Sequence, residues 1–235
     1  MSSLDEPLQA ALARVHERIS AAARAAGRDP AEIALLAVSK AFPAEAVIAA
    51  ARAGQRWFGE SYVQEAVEKI AQVRAMAPDL ALEWHFIGPI QSNKTRLIAE
   101  HFDWVHSVDR LKIAQRLSEQ RPADRPPLEV LIQVNVSGEA SKHGVAPAEA
   151  SALAHAVARL PRLRLRGLMA IPEPERERQR QRAPFARLRE LLERLRREGL
   201  AVDTLSMGMS ADLEAAIAEG ATIVRVGTAI FGERT

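Results

Sequence analysis

The sequence lacks cysteine, and its 235 residues include only five lysines and one tyrosine. Without cysteine the chain has no disulfide, no thiolate metal ligand and no cysteine nucleophile, as is common in a reducing compartment. No apolar stretch approaches the roughly 20 residues that span a bilayer. Asp5 and Glu6 occupy the region where a secretory signal would carry positive charge. We therefore expect a cytoplasmic protein that does not associate with membranes.

The chain also has no large excess of positive or negative charge. Its 32 basic residues are nearly balanced by 30 acidic ones, and the net charge is +2. The densest charged segment, residues 176–197, interleaves glutamates with arginines, which is typical of a solvated helix face with i,i+4 ion pairs. Binding to a phosphate backbone requires a basic face with fewer acidic neighbours. The composition therefore predicts a globular protein that does not bind nucleic acid.

Eight short runs with strand-like hydrophobicity alternate with helical patterns along the chain. The predicted strands are residues 33–38, 56–59, 83–88, 103–108, 128–135, 165–171, 204–208 and 222–227. Pro43 and Pro147 stand at predicted helix starts, while Gly54, Gly199 and Gly220 stand at predicted helix ends. Strand–helix alternation requires a parallel sheet, and eight units allow the sheet to close. We predict an α/β protein with a single (β/α)8 TIM-type barrel domain over residues 1–235.

An additional amphipathic helix is predicted for residues 1–27, ahead of the first strand. Its apolar residues recur at a spacing of three to four, and Gly27 provides the stop. These residues are Leu4, Leu8, Leu12, Val15 and Ile19. We expect this helix to cap or flank the barrel.

Lys40 directly follows the first predicted strand, at the end of the barrel where such folds carry their chemistry. A partly desolvated lysine presents the neutral amine that attacks an aldehyde and forms an imine. The alternative is that a charged residue at a strand end marks only the return of the chain to solvent. Lys40 is therefore a candidate carbonyl-trapping amine.

The segments after the last two predicted strands contain residues suited to binding phosphate. Gly227 and Thr228 follow strand eight, where barrels commonly bind phosphate through backbone N–H groups at the start of a short helix. Ser210 follows strand seven as the predicted N-cap of helix eight, and its hydroxyl can also reach a phosphate oxygen. Each feature alone has an ordinary interpretation, a C-terminal turn and a plain N-cap. Together with Lys40 they describe a ligand that carries both an aldehyde and a phosphate, as pyridoxal 5′-phosphate (PLP) does.

Seven ordered segments, spread over nearly the whole chain, carry a family resemblance. They are LLAVSK, RWFGESYVQEAVEKI, EWHFIGPIQSNK, QVNVSGEASKHG, LRGLMAIP, LSMGMSADLEAAIAEG and VRVGTAIFGER. These segments resemble the pyridoxal phosphate homeostasis protein family, the single-domain relatives of the alanine racemase barrel. The resemblance implies that Lys40 holds PLP as an internal aldimine. It also implies that Ser210, Gly227 and Thr228 bind the phosphate and that Arg225 lies by the pyridine nitrogen.

Arg225 bears on the chemistry that the resemblance implies. In strand eight it shares a face with Gly227, and the alternative is an outward salt bridge with a helix. A charged guanidinium beside the pyridine nitrogen disfavours protonation of the ring, and an unprotonated pyridine is a weak electron sink. The resemblance therefore implies a carrier without metal or catalytic turnover, which buffers PLP or delivers it to PLP-dependent apo-enzymes. We expect a monomer.

One position departs from the family pattern, which usually has Asn where this chain has Ser61. The change removes any amide contact at this position. Ser61 is predicted to be the N-cap of a helix that starts at Tyr62, with Gln64 completing a capping box. We therefore interpret Ser61 as structural.

Two enzymatic alternatives also use a lysine imine. An amino-acid racemase needs acid and base groups on opposite faces of the cofactor, and one is commonly a tyrosine. The only tyrosine here is Tyr62, and the chain stops at Thr235 without the C-terminal β-domain that alanine racemases add. A Schiff-base aldolase needs no cofactor, but such barrels usually carry the amine on a later strand.

Two further residues have both a functional and a structural interpretation. His85, in the third predicted strand, either contacts a bound cofactor or belongs to the core. Lys142, in the loop after strand five, either holds a second cofactor molecule or only keeps the loop soluble.

Overall fold

The computed structural model describes residues 5–138, 140 and 143–233 of the chain. The strands are β1 (Ala34–Val38), β2 (Trp57–Glu60), β3 (Glu83–Phe86), β4 (Trp104–Val108), β5 (Leu128–Gln133), β6 (Leu163–Met169), β7 (Thr204–Ser206) and β8 (Ile223–Val226). The α-helices are α1 (Asp5–Ala25), α2 (Ala44–Arg52), α3 (Val63–Met76), α4 (Thr95–His101), α5 (Leu111–Gln120), α6 (Pro147–Ala158), α7 (Arg178–Arg197), α8 (Leu213–Ala218) and α9 (Thr228–Phe231). Short 3₁₀ helices occupy Pro30–Glu32 and Ser92–Lys94.

The eight strands form a closed parallel barrel in which each strand pairs with its neighbours along the chain and β1 pairs with β8. The predicted (β/α)8 barrel with an additional N-terminal helix is therefore confirmed. Each strand boundary lies within two residues of the predicted one. Most of the larger differences are at the C-terminal ends, where the chain leaves the sheet to form the βα loops that carry the sites of such barrels.

Alternation along the strands divides the apolar side chains into two layers. One layer fills the barrel and includes Leu36 and Met169. The other lies between the strands and the helices and includes Val224 and Val226 of β8. Arg225, between these two valines, therefore points into the barrel.

Helix α1 lies against the outside of the barrel. It buries Leu8, Leu12, Val15 and Ile19 and packs against α2, α8 and α9. The chain leaves the helix through Gly27, whose φ of 67° is readily adopted by glycine. The helix therefore flanks the barrel; Leu4 lies outside the described residues.

Helix α7 carries the predicted ion pairs on its exposed face. Nε of Arg189 lies 3.7 Å from Oε1 of Glu193, and Nε of Arg194 lies 3.2 Å from Oε1 of Glu198. Arg189 and Arg194 thus each have a carboxylate partner four residues further along the chain, whereas Arg182 pairs with Glu219, which follows α8. Among the described residues, no helix combines the length and the apolar character needed to cross a membrane.

The predicted N-cap at Ser61 is wrong. Helix α3 begins at Val63, and Tyr62 occupies the N-cap position. The backbone of Ser61 instead packs against the neighbouring loop, where a methyl group on Gly88 would lie 2.5 Å from the Ser61 carbonyl oxygen. This close approach holds Ser61 in the loop after β2, so that the helix starts later than the capping pattern predicts.

The predicted N-cap at Ser210 is wrong as well. Helix α8 begins at Leu213, with Asp212 as the N-cap. Oδ1 of Asp212 accepts a hydrogen bond from the backbone N–H of Met209 at 2.7 Å. This bond closes a turn around Ser210 before the helix starts, so Ser210 belongs to the βα loop.

Candidate functional site

A cavity of about 260 Å³ opens at the C-terminal ends of the strands. It is close to the lower end of the roughly 300–1,000 Å³ range of small-molecule pockets. Its walls are formed by Val38, Lys40, Ser61, Ile87, Ile171, Met209, Ser210, Ala211, Arg225, Gly227 and Thr228. The five site residues predicted from the sequence therefore line one cavity.

Lys40 is half-buried and stands on the turn that follows β1. The backbone N–H of Ser39 donates to the carbonyl of Gly59 at 3.0 Å, and that of Phe42 donates to the carbonyl of Ser39 at 3.0 Å. Ala41 has a φ of 66°, a left-handed conformation that residues with a Cβ atom rarely adopt. This turn presents Lys40 to the cavity.

A buried ion pair lies beside this turn, between β2 and α3. Nζ of Lys69 lies 2.7 Å from Oε1 of Glu60, and the two side chains are 4% and 0% exposed. Burial raises the pKa of Glu60, and the Lys69 ammonium opposes that shift. Oε1 of Glu60 also accepts a hydrogen bond from Oγ of Ser39 at 2.7 Å. The ion pair is therefore attached to the residue that precedes Lys40.

Gly227 and Thr228 form the start of the short helix α9, with Gly227 as its N-cap. The first N–H groups of a helix have no acceptor within the helix. A Cβ atom on Gly227 would lie 3.2 Å from the carbonyl oxygen of Val38, so glycine permits a close approach to the end of β1. Phe231 stacks on Phe42 with ring centroids 5.1 Å apart, which joins α9 to the turn that carries Lys40.

Ser210 lines the cavity from the loop between β7 and α8. Asp212 closes this loop through its bond to the Met209 amide. Burial raises the pKa of Asp212, while that hydrogen bond and the charge of Arg225 oppose the shift. Because the turn ends at Asp212 and the helix starts after it, Ser210 stays on the cavity wall.

Arg225 reaches the cavity from the barrel interior. Its Nη1 donates to Oγ of Ser206 at 2.6 Å, and its Nη2 donates to the carbonyl of Ala170 at 2.9 Å. These bonds use two of the five N–H donors of a guanidinium. Burial lowers the pKa of Arg225 to about 10, with Asp212 opposing the shift, so the side chain remains charged at neutral pH.

A chain of buried side chains continues from Arg225 through the barrel. Oγ of Ser206 lies 2.8 Å from Nδ1 of His106, and Nε2 of His106 lies 2.8 Å from Nδ1 of His85. Arg225, Ser206, His106 and His85 thus form one continuous hydrogen-bonded chain across the barrel interior. At the end of this chain, Nε2 of His85 is buried and has no hydrogen-bond partner among the described residues.

Both histidines are neutral at physiological pH. Burial lowers the pKa of His85 to about 3. Burial also lowers the pKa of His106 well below 6.5, with further contributions from His85 and Arg225. The His85 ring stacks on Trp104 at 5.2 Å and is fully buried. Of its two interpretations, the structure therefore supports a core position.

The sequence interpretation left out part of the cavity wall. Ser61, which the sequence predicts to be a helix cap, lines the cavity, and Ile87, Ile171 and Met209 provide apolar surface. The signal that identifies them is their position just after β2, β3, β6 and β7 at the same end of the barrel.

Lys142 lies outside the described residues. No cluster of potential metal ligands occurs in the described part of the chain.

Known proteins resemble this chain over nearly its whole length. Residues 11–235 match the family described as alanine racemase, N-terminal domain. A pyridoxal phosphate homeostasis protein of Pseudomonas aeruginosa is 69% identical over 223 residues, which cover 95% of this chain and 94% of the relative. A protein of the same name from Escherichia coli is 59% identical over 223 residues, which cover 95% of each.

A solved structure of PipY from Synechococcus elongatus with PLP bound is similar to the whole fold. The TM-score is 0.83 at 37% sequence identity, and the match covers 96% of this chain and 100% of PipY.

Proposed function

Because this chain belongs to the pyridoxal phosphate homeostasis protein family, within the family of the alanine racemase N-terminal domain, we propose that it binds PLP at Lys40 and buffers or delivers the cofactor in the cytoplasm. The observation that carries the proposal is the single cavity in which Lys40, Ser210, Arg225, Gly227 and Thr228 meet. The relative with PLP bound supports the choice of ligand.

The polar groups of the cavity fit the chemistry of PLP. An amine, three hydroxyls, a guanidinium and the amides at the start of α9 line the walls, together with apolar side chains. In our proposal the α9 amides, Thr228 and Ser210 hold the phosphate, because helix N-termini and hydroxyls are good phosphate donors. Ile87, Ile171 and Met209 then border the ring.

Lys40 is the residue to which we assign covalent binding. PLP supplies an aldehyde that condenses with the neutral Lys40 amine to a reversible imine and one water. The turn after β1 places Lys40 at the cavity, and partial burial limits the access of bulk water to its side chain. A reversible bond of this kind suits a protein that stores a cofactor and later releases it.

Arg225 supports a carrier more than a catalyst. It remains charged at neutral pH, and its bonds to Ser206 and Ala170 hold it in one place. We propose that it faces the pyridine nitrogen, where its positive charge disfavours protonation of the ring and so weakens the ring as an electron sink. A racemase also needs an acid–base group opposite the lysine. Tyr62 is 53% exposed and is not among the cavity-lining residues, so it does not supply this group here.

The first experiment is an absorption spectrum of the purified protein, before and after reduction with borohydride, followed by peptide mapping. We expect a visible imine band that reduction removes, and a reduced adduct on the peptide that contains Lys40. A colourless protein that takes up no added PLP contradicts the proposal and favours a cofactor-free barrel. An adduct found mainly on another lysine contradicts the assignment of Lys40.

The second experiment separates carrier from enzyme. The loaded protein is mixed with a PLP-dependent apo-enzyme, with and without an aldehyde trap for free PLP, and the recovered activity is followed. We expect recovery, whereas racemisation of amino acids by the loaded protein alone stays at the level of free PLP. Rapid racemisation by the purified protein would favour the enzymatic alternative.

A further inference from the structure

The cluster formed by Glu60, Glu65 and Lys69, called here the Lys69 cluster, lies behind the cavity wall and takes no part in the cavity itself. Nζ of Lys69 donates to Oε1 of Glu60 at 2.7 Å and to Oε1 of Glu65 at 2.9 Å. It also donates to the carbonyl oxygen of Ser39 at 2.8 Å. An ammonium has three N–H donors, so every donor of Lys69 has an acceptor. Lys69 is therefore held in place by three acceptors.

The Lys69 cluster contacts the residues on both sides of Lys40. On one side, the carbonyl oxygen of Ser39 accepts a hydrogen bond from Lys69, and the hydroxyl of Ser39 donates one to Glu60. On the other side, the backbone N–H of Ala41 donates to Oε1 of Glu65 at 2.7 Å. Three hydrogen bonds thus hold the two peptide neighbours of Lys40 from one direction, while the Lys40 side chain lines the cavity.

The turn held by the cluster is strained. Ala41 has a φ of 66°, which places its Cβ close to the backbone. Such residues persist only where the surroundings impose the conformation, and they concentrate at functional sites. The bond from Ala41 to Glu65 supplies that constraint.

The stability of the fold does not by itself explain why a buried ion pair occupies this position. Burying an ion pair costs desolvation, and apolar side chains of similar size often stabilise a fold as well or better. Oε2 of Glu60 is buried without a hydrogen-bond partner among the described residues, which adds to that cost. The hold of the cluster on the turn around Lys40 therefore explains its presence better than the energy of the Glu60–Lys69 ion pair does.

We propose that the Lys69 cluster is a positioning device that holds the Ser39–Ala41 turn and thereby orients the Lys40 amine for imine formation. The inference rests on the proposed function, because it assigns a role in presenting Lys40 to PLP. Glu65, Glu60 and Lys69 act through the backbone and touch no cofactor. An amine held in its reactive geometry reacts faster than one on a mobile loop.

Glu65→Ala is the variant that isolates this role. Glu65 is 35% exposed, so its removal leaves the folded core intact, but it takes away the acceptor of the Ala41 amide. Glu68→Ala is the matched control, since Glu68 is an exposed glutamate on the same helix with no described bond to the turn. Glu65→Gln is the conservative variant, because an amide oxygen still accepts from Ala41 and Lys69.

Two measurements on the full chain test the proposal. Hydrogen exchange of the peptide that contains Ala41, measured without cofactor, should become at least tenfold faster in Glu65→Ala than in Glu68→Ala. The rate of imine formation after mixing with PLP should fall at least tenfold in Glu65→Ala. Glu65→Gln should stay within about threefold of the unsubstituted protein on both counts, since one neutral hydrogen bond replaces a charge-assisted one about twice as strong.

A second variant keeps a folding defect from being mistaken for a positioning defect. Lys69→Met combined with Glu60→Gln removes both buried charges, so no unpaired ion remains in the core. Glu65, which is 35% exposed, loses its ion pair with Lys69 but keeps the hydrogen bond from the Ala41 amide. We expect a thermal midpoint close to that of the unsubstituted protein, together with a tenfold loss in the rate of imine formation. Two results would overturn the inference while leaving the proposed function standing. One is unchanged hydrogen exchange in Glu65→Ala, and the other is an unchanged rate of imine formation in both Glu65→Ala and the Lys69→Met, Glu60→Gln protein. If the unsubstituted protein forms no adduct on Lys40, the proposed function itself fails.

Discussion

Oγ of Ser206 accepts a hydrogen bond from Nη1 of Arg225 at 2.6 Å, deep inside the barrel. The same hydroxyl lies 2.8 Å from Nδ1 of His106, so Ser206 is hydrogen-bonded to both the guanidinium and the imidazole. The charged residue at the cavity floor is thus oriented by neutral groups beneath it. The orientation of Arg225 therefore depends on Ser206 of β7 and on Ala170, just after β6, as well as on its own strand.

Ser206→Ala should destabilise the cofactor-free protein more than an ordinary buried serine would. The change leaves Arg225 without one acceptor and Nδ1 of His106 without its hydrogen-bond partner, and we expect a loss of about 3 kcal/mol in the free energy of unfolding. Ser107→Ala is the matched control, since Ser107 is buried in β4 and makes one bond, to the Gly88 carbonyl at 2.6 Å. Its expected loss is about 1 kcal/mol. Urea unfolding measures both, and equal losses would contradict the central role of Ser206.

Ser210→Ala should weaken PLP binding by about 1 kcal/mol, roughly a fivefold change in Kd, as for one lost hydrogen bond. Pyridoxal, which has the aldehyde but no phosphate, provides the control ligand. Its affinity should not change in the variant, because Ser210 is assigned to the phosphate. A loss of equal size for both ligands would place Ser210 elsewhere in the site.

The two buried histidines should make the protein sensitive to acid. Their pKa values are lowered in the folded state, His85 to about 3, whereas the unfolded chain titrates near 6.5. Between these values the unfolded state binds more protons, so the free energy of unfolding falls as the pH falls below 6.5. Each histidine contributes up to about 1.4 kcal/mol per pH unit.

His106→Gln should therefore flatten the pH dependence of stability in the range below pH 6.5, because burial lowers the pKa of His106 well below that value in the folded state. The measurement is a series of urea unfolding curves on the cofactor-free protein across this range. His16→Gln, on the exposed face of α1, serves as the control. Equal slopes for both variants would show that the buried histidines do not govern the acid sensitivity.

Gly167→Ala should prevent normal pairing of β6 with β7. A Cβ atom at this position would lie 1.9 Å from the carbonyl oxygen of Thr204, so the strands must move apart. We expect a loss of about 3 kcal/mol in the free energy of unfolding. Gly199→Ala is the control, with open space around the new methyl and a φ of 94°, and its expected cost is about 1 kcal/mol. Thermal or urea unfolding compares the two, and a Gly167→Ala protein as stable as Gly199→Ala would contradict the clash.

The architecture could be predicted because its signals are local. Apolar runs of strand length, helix starts such as Pro43 and helix ends such as Gly199 recur in order and require only the neighbouring residues to be recognised. Once the barrel is inferred, the C-terminal ends of its strands must converge, which brings Lys40 and Gly227 together. The errors arose where a local pattern competed with a distant contact. Ser61 and Ser210 have the chemistry of N-caps, but loop contacts placed Tyr62 and Asp212 there instead.

The sequence by itself determined the order of strands and helices, the class of fold and the candidate residues that we propose to react with an aldehyde and bind a phosphate. Only the tertiary structure decided which side chains join them: Ser206 and His106 are 100 residues apart, and Lys69 and Ser39 are 30 apart. The physical reason is that periodicity and capping act over a few residues, whereas a buried polar group takes whichever partner the closed barrel brings within hydrogen-bond distance.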